Sequence, residues 1–259
     1  MRILHSRSFA FIRGLVILLL LTGCKPPDET RFQVIVGAVL IDGAGSPPIS
    51  RSVVVIAGSR IRAAGSQAAT PIPAGSDKYN GTGKFLIPLT VAAPANLQLA
   101  RITTLAEAQR QIDAGAKAVQ GMIADTEDLD PAFLHQLRNL QFVFFPQLDR
   151  IQDPAALARA RRNTRRLAAE GVPIGALGES PFGSNVREWE SLAQAGLTPV
   201  EVLHAATRHA ARGIGQQDEL GVIAAGRPAN LMMLAANPLE DARNLARVER
   251  IMRNGAWVE

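Results

Sequence analysis

The chain has 259 residues, 47% of them hydrophobic, which is enough to bury a sizeable core. Its single cysteine excludes an intrachain disulfide. The formal charge is +5, but Arg2, Arg7 and Arg13 supply three of those charges, and the balance of about +2 over the remainder argues against a nucleic-acid partner.

The N-terminus reads as a secretion signal over residues 1–23. Three arginines precede the unbroken apolar run Leu15–Leu21, which falls far short of the ~20 residues that span a bilayer. Leu21-Thr22-Gly23-Cys24 places small residues before the cysteine and is similar to a bacterial lipobox. Cys24 is then expected to be the lipidated first residue of an exported, membrane-anchored lipoprotein on the periplasmic side of the cell envelope. An ordinary signal peptide with an incidental cysteine is the alternative. Residues 24–32, with Pro26 and Pro27, read as a tether.

Strands are predicted over Gln33–Val36, Ala38–Ile41, Val53–Ile56 and Ile61–Gly65, with turns at Asp42-Gly43 and Gly58-Ser59-Arg60. A loop rich in Pro, Gly and Ser follows, and then Gly83-Lys84-Phe85-Leu86-Ile87-Pro88. Beyond it, strands are predicted around Thr90, Val119, Val143 and Ile174. They alternate with amphipathic helices over Thr103–Gly115, Asp125–Leu137 and Pro154–Glu170. Asp130-Pro131 suits an N-cap followed by the first helical residue. The basic run Arg159–Arg166 reads as the solvated face of a helix, with membrane phosphate as the alternative contact. The last third carries two more helical patterns, then strands at Leu231–Leu234 and Ile251–Val258.

Several motifs stand in one order: Asp42-Gly43, the Gly58–Ile61 hairpin, Gly83–Pro88, Ala195-Gly196-Leu197-Thr198-Pro199, Gly226-Arg227-Pro228-Ala229-Asn230-Leu231 and Asn237-Pro238-Leu239-Glu240-Asp241. Together they resemble the amidohydrolase superfamily, in particular its imidazolonepropionase-like and prolidase-like branch. The resemblance implies an α/β fold in which residues 33–88 and 219–259 jointly build a small β-domain. Residues 89–218 would form a metal-dependent TIM-type (β/α) barrel. A full barrel takes roughly 250 residues, so this segment is expected to hold about the second half of one. The activity implied is hydrolysis of non-peptide carbon–nitrogen bonds, with zinc or another divalent metal in intact relatives.

The metal ligands that the resemblance implies are largely missing. No His-x-His pair follows Leu86-Ile87-Pro88, and the strand of the bridging lysine falls in the missing part. Gln120 stands where a histidine is expected, and Glu179 where the catalytic aspartate is expected. Asn230 replaces an aspartate that belongs to the β-domain and is not a ligand. His204 and His209 are five residues apart on a predicted helix, hence about 140° apart, and His135 lies on another; all three are read as packing or surface residues. No cofactor is expected, and Gln120, Gln147 and Glu179 are the candidates to hold a small polar ligand at the strand ends. The expectation is therefore an inactive amidohydrolase-like lipoprotein. The alternatives are a ligand-binding or protein-interaction module, or an enzyme completed by another chain. Because Phe142-Val143-Phe144-Phe145 is apolar at every position and half a barrel has open edges, self-association through the open side is also expected.

Overall fold

The computed structural model describes residues 31–179 and 184–258. The signal-peptide and Cys24 expectations lie outside the described residues. Among those described, no helix is long and apolar enough to cross a membrane.

Two sheets form the first layer of the molecule. One has the order β4-β3-β1-β5, built from β1 (Phe32–Val36), β3 (Ser52–Ala57), β4 (Arg60–Ser66) and β5 (Asp77–Asn80). The other has the order β11-β10-β9-β6-β2, where β2 is Val39–Leu40, β6 is Phe85–Pro88, β9 is Leu231–Leu234, β10 is Val248–Arg253 and β11 is Ala256–Val258. N-terminal and C-terminal segments meet where β6 runs antiparallel to β9, Phe85 opposite Leu234. Side chains alternate across a strand, and β9 shows what that does here. Leu231 and Met233 pack between the sheets with Ile35, Val54 and Leu86, whereas Met232 and Leu234 face the helical core with Ile87. A strand covered on both faces must be apolar at every position, and Leu-Met-Met-Leu is. β5 is a difference from the sequence expectation of a loop: Asp77-Lys78-Tyr79-Asn80 is polar at three of four positions, but its backbone pairs in parallel with β1.

The rest of the chain alternates helices with short parallel segments. The helices are α1 (Leu105–Asp113), α2 (Pro131–Leu140), α3 (Pro154–Ala169), α4 (Val186–Gln194), α5 (Pro199–His204) and α6 (Ala210–Gly213). Thr104 and Glu107 close a reciprocal cap on α1, as do Thr198 and Glu201 on α5; Asp130 and Asp153 cap α2 and α3 ahead of their prolines. β7 (Ala118–Gln120) and β8 (Val143–Phe145) pair in parallel. Residues 100–102, not expected from sequence, bond to Gln120 on one side of the pair, and Pro173 and Gly175 bond to Phe144 on the other. Gly178 in turn bonds to Val91 and Ala93. The predicted strand over 172–177 is thus extended and hydrogen-bonded without forming a continuous ladder, for Pro173 has no N–H to give. These sheets are not closed.

The open side is nevertheless covered within the chain. A π-helical turn, Ala205–His209, joins α5 to α6. Two of its carbonyls take up edge donors: Ala176 N–H bonds to Ala205 O and Val91 N–H to Ala206 O, both at 2.9 Å. Ala210 and Ala211 then pack on Val91, Val143 and Phe145. A Cβ at Gly213 would sit 2.5 Å from the Phe145 ring, so only glycine permits this approach. Phe142 to Phe145, expected to leave an uncovered face, are 0–3% exposed.

Candidate functional site at the strand ends

β7, β8 and the 173–178 segment run in parallel, so their C-terminal ends open on one side of the sheet. There the structure brings Gln120, Gln147 and Glu179 to the wall of one cavity of about 130 Å³, with Asp149, Arg150, Asn185 and Glu188. Gln120 ends β7. It is followed by Gly121, whose φ of 101° and close approach to Ile102 O admit no side chain. Gln147 takes a left-handed conformation (φ 51°) that turns the chain after β8 into a 3₁₀ segment, Leu148–Arg150. Glu179 forms an ion pair with Arg150.

Sequence reasoning missed the two most distinctive residues here. Glu188 is 2% exposed, and its Oε2 accepts the Asp149 backbone N–H at 3.1 Å while Oε1 meets no partner. Burial, with the Asp149 side chain close by, pushes its carboxyl well above the ordinary glutamate range and so favours the protonated form. In sequence, Asn185-x-x-Glu188 reads only as a helix start. Asn185 indeed caps α4 by accepting from Glu188 N at 3.2 Å, but the glutamate side chain turns inward to Asp149 instead of completing the cap. The available signal for Arg150 was its place just beyond a strand end, where such folds collect binding residues.

The metal centre that the resemblance implies does not fit these residues. Zinc takes imidazole, thiolate or carboxylate. The cavity offers two neutral amides, a carboxylate already paired with arginine, and beside Asp149 a buried carboxyl whose charged form burial disfavours. Among the described residues no group of three or more His, Cys, Asp or Glu converges as a metal site. His135 sits on the exposed face of α2, 3.1 Å from Asn139 Nδ2. His204 and His209 are a correction. The π-turn removes the separation expected of an α-helix, and their rings stand 6.0 Å apart, at the other end of the 173–178 segment from this cavity.

A sequence profile of the amidohydrolase family matches residues 179–258. The fold is similar to that of molinate hydrolase (TM-score 0.73, 12% identity, covering 88% of this chain and 95% of that one). It is also similar to a prolidase complexed with N-methylphosphonate-L-proline (0.67, 15%, 88% and 99%) and to A. niger ochratoxinase (0.66, 12%, 88% and 95%). At these identities the likeness is one of fold. No curated protein matches the chain.

Proposed function

We propose that this amidohydrolase-superfamily chain uses the strand-end cavity to bind a small polar solute and does not carry out metal-assisted hydrolysis. The observation that carries this reading is the donor set: Gln120 and Gln147 amides, the Glu179–Arg150 ion pair and the buried Glu188 carboxyl around about 130 Å³. Amides satisfy ligand C=O and N–H groups, and an ion pair matches a zwitterion. None of these groups generates a metal-bound hydroxide. The ligand class is accordingly small amides, ureas and free α-amino acids. Residues 89–218 are read as a (β/α) barrel lacking its first half, with 33–88 and 219–259 as the accompanying β-domain.

Calorimetry and thermal unfolding with a panel of such solutes test the proposal. A ligand at a hundred times its Kd adds about 2.7 kcal/mol to stability, which shifts a melting curve by several degrees. Gln120→Leu and Arg150→Ala should each remove the shift. Turnover of an N-acyl amino acid that requires added zinc and disappears in Glu179→Gln would overturn the reading.

The same proposal places the protein on a membrane through lipidated Cys24, on the strength of Leu21-Thr22-Gly23-Cys24. Cys24→Ser should abolish fatty-acid labelling in cells and move the chain to the soluble fraction. A native chain that is unlabelled and already soluble would refute the anchor.

A further inference from the structure

A second cavity, of about 210 Å³, lies at the opposite end of the 173–178 segment, lined by Val172, Ile174, Glu201, His204, Arg208 and His209. Residues five apart diverge on an α-helix, but the i→i+5 bonding of a π-turn returns them to one face. The π-turn Ala205–His209 does this for His204 and His209. We propose that these two imidazoles form a binding site for one divalent transition-metal ion, copper(II) above all. This site is separate from the strand-end cavity and uses none of the positions that the superfamily resemblance assigns to metal.

Three observations support it. The first is reach: an ion about 2.0–2.1 Å from a ring nitrogen lies about 3.2 Å from that ring's centre, so two rings sharing an ion stand at most about 6.4 Å apart. The observed 6.0 Å falls within that limit. The second is orientation. His209 Nδ1 lies 3.1 Å from Ile174 O, which fixes Nδ1 as the protonated nitrogen and leaves the Nε2 lone pair free, the arrangement that outer-shell carbonyls impose on metal-binding histidines. The third is charge state. Burial, with Arg208 nearby, pushes both histidines down to about 4, so both are unprotonated and able to ligate at neutral pH. The surrounding charges are mixed. Arg208 opposes a cation, but its guanidinium is drawn to Ala44 O at 2.7 Å. Asp42 and Glu201 add negative potential at His204. Water completes the coordination in the remaining space. Two imidazole ligands favour copper(II), which tops the affinity order of the first-row divalent ions.

The test uses the full chain carrying His5→Ala and Cys24→Ser, which remove the N-terminal histidine and the only thiol. Copper(II) is titrated calorimetrically and the complex examined by pulsed electron paramagnetic resonance. One ion per chain with couplings from two imidazoles is expected. His204→Gln or His209→Gln should reduce the count to one and weaken binding at least about tenfold. Arg208→Gln should tighten it severalfold, and His135→Gln should leave it unchanged. The resonance of the parent chain decides the matter without any variant in the cavity: a spectrum showing one imidazole or none overturns the site. So does a copper affinity that survives replacement of both histidines.

Discussion

Phe144→Asp should unfold the protein. Phe144 is fully buried between β7 and the 173–175 segment, with its ring edge-on to Phe142 at 5.3 Å. Truncating such a ring alone costs about 3–5 kcal/mol. A carboxylate there also loses its hydration and finds no cation, so the total approaches the about 5–15 kcal/mol that holds a typical domain together. Loss of the cooperative transition in circular dichroism is the expected readout, with the native chain lacking residues 1–24 sedimenting as a monomer. The sequence alone suggests another outcome, weakening of an interface between copies. The two differ because α6 covers the Val143 and Phe145 face from within the chain, and Phe144 is buried in the main core on the other. A folded, monomeric Phe144→Asp variant derived from an oligomeric parent would restore the interface and refute this packing.

What was legible in the sequence follows from which interactions are local. The strands β6 and β9 announce themselves because covering on both faces demands apolar residues throughout, and α2 and α3 because Asp-Pro is a cap that acts within its own turn. Gln120, Gln147 and Glu179 were legible as a group because ends of parallel strands necessarily open on one side of a sheet. Three features depended on distant partners and left no local trace. The polar β5 is held by backbone pairing with β1. The π-turn at Ala205–His209 is held by donors from Val91 and Ala176, more than a hundred and about thirty residues away respectively; without it His204 and His209 read as divergent. Glu188 carries the same local pattern as Glu107 and Glu201, which do close their caps, and only the position of Asp149 turns it inward.

That inward turn has a measurable consequence: Glu188→Gln should stabilise the protein at neutral pH and give no comparable gain in acid. Glu188 in the folded chain is held protonated above its ordinary range by burial and by Asp149, whereas in the unfolded chain it ionises near 4.5. Between those two values the folded state binds more protons than the unfolded one, so stability falls as pH rises. Each pH unit inside the window costs about 1.4 kcal/mol, and the loss stops once pH passes the folded-state value. Glutamine has nearly the same shape and nothing to ionise. Its carbonyl can accept the Asp149 N–H in place of Oε2, and its NH₂ stands where the un-ionised O–H would. Every other titrating group is common to both proteins, so the difference between their urea-unfolding free energies isolates Glu188. That difference should be flat below about pH 4 and open in favour of the variant above pH 4.5. A difference that stays constant from pH 4 to 8 would mean that Glu188 is ionised in the folded protein. The strand-end cavity would then hold an unbalanced carboxylate facing Asp149 and would select a cation, so the reading of the site as a binder of neutral or zwitterionic solutes depends on this one proton.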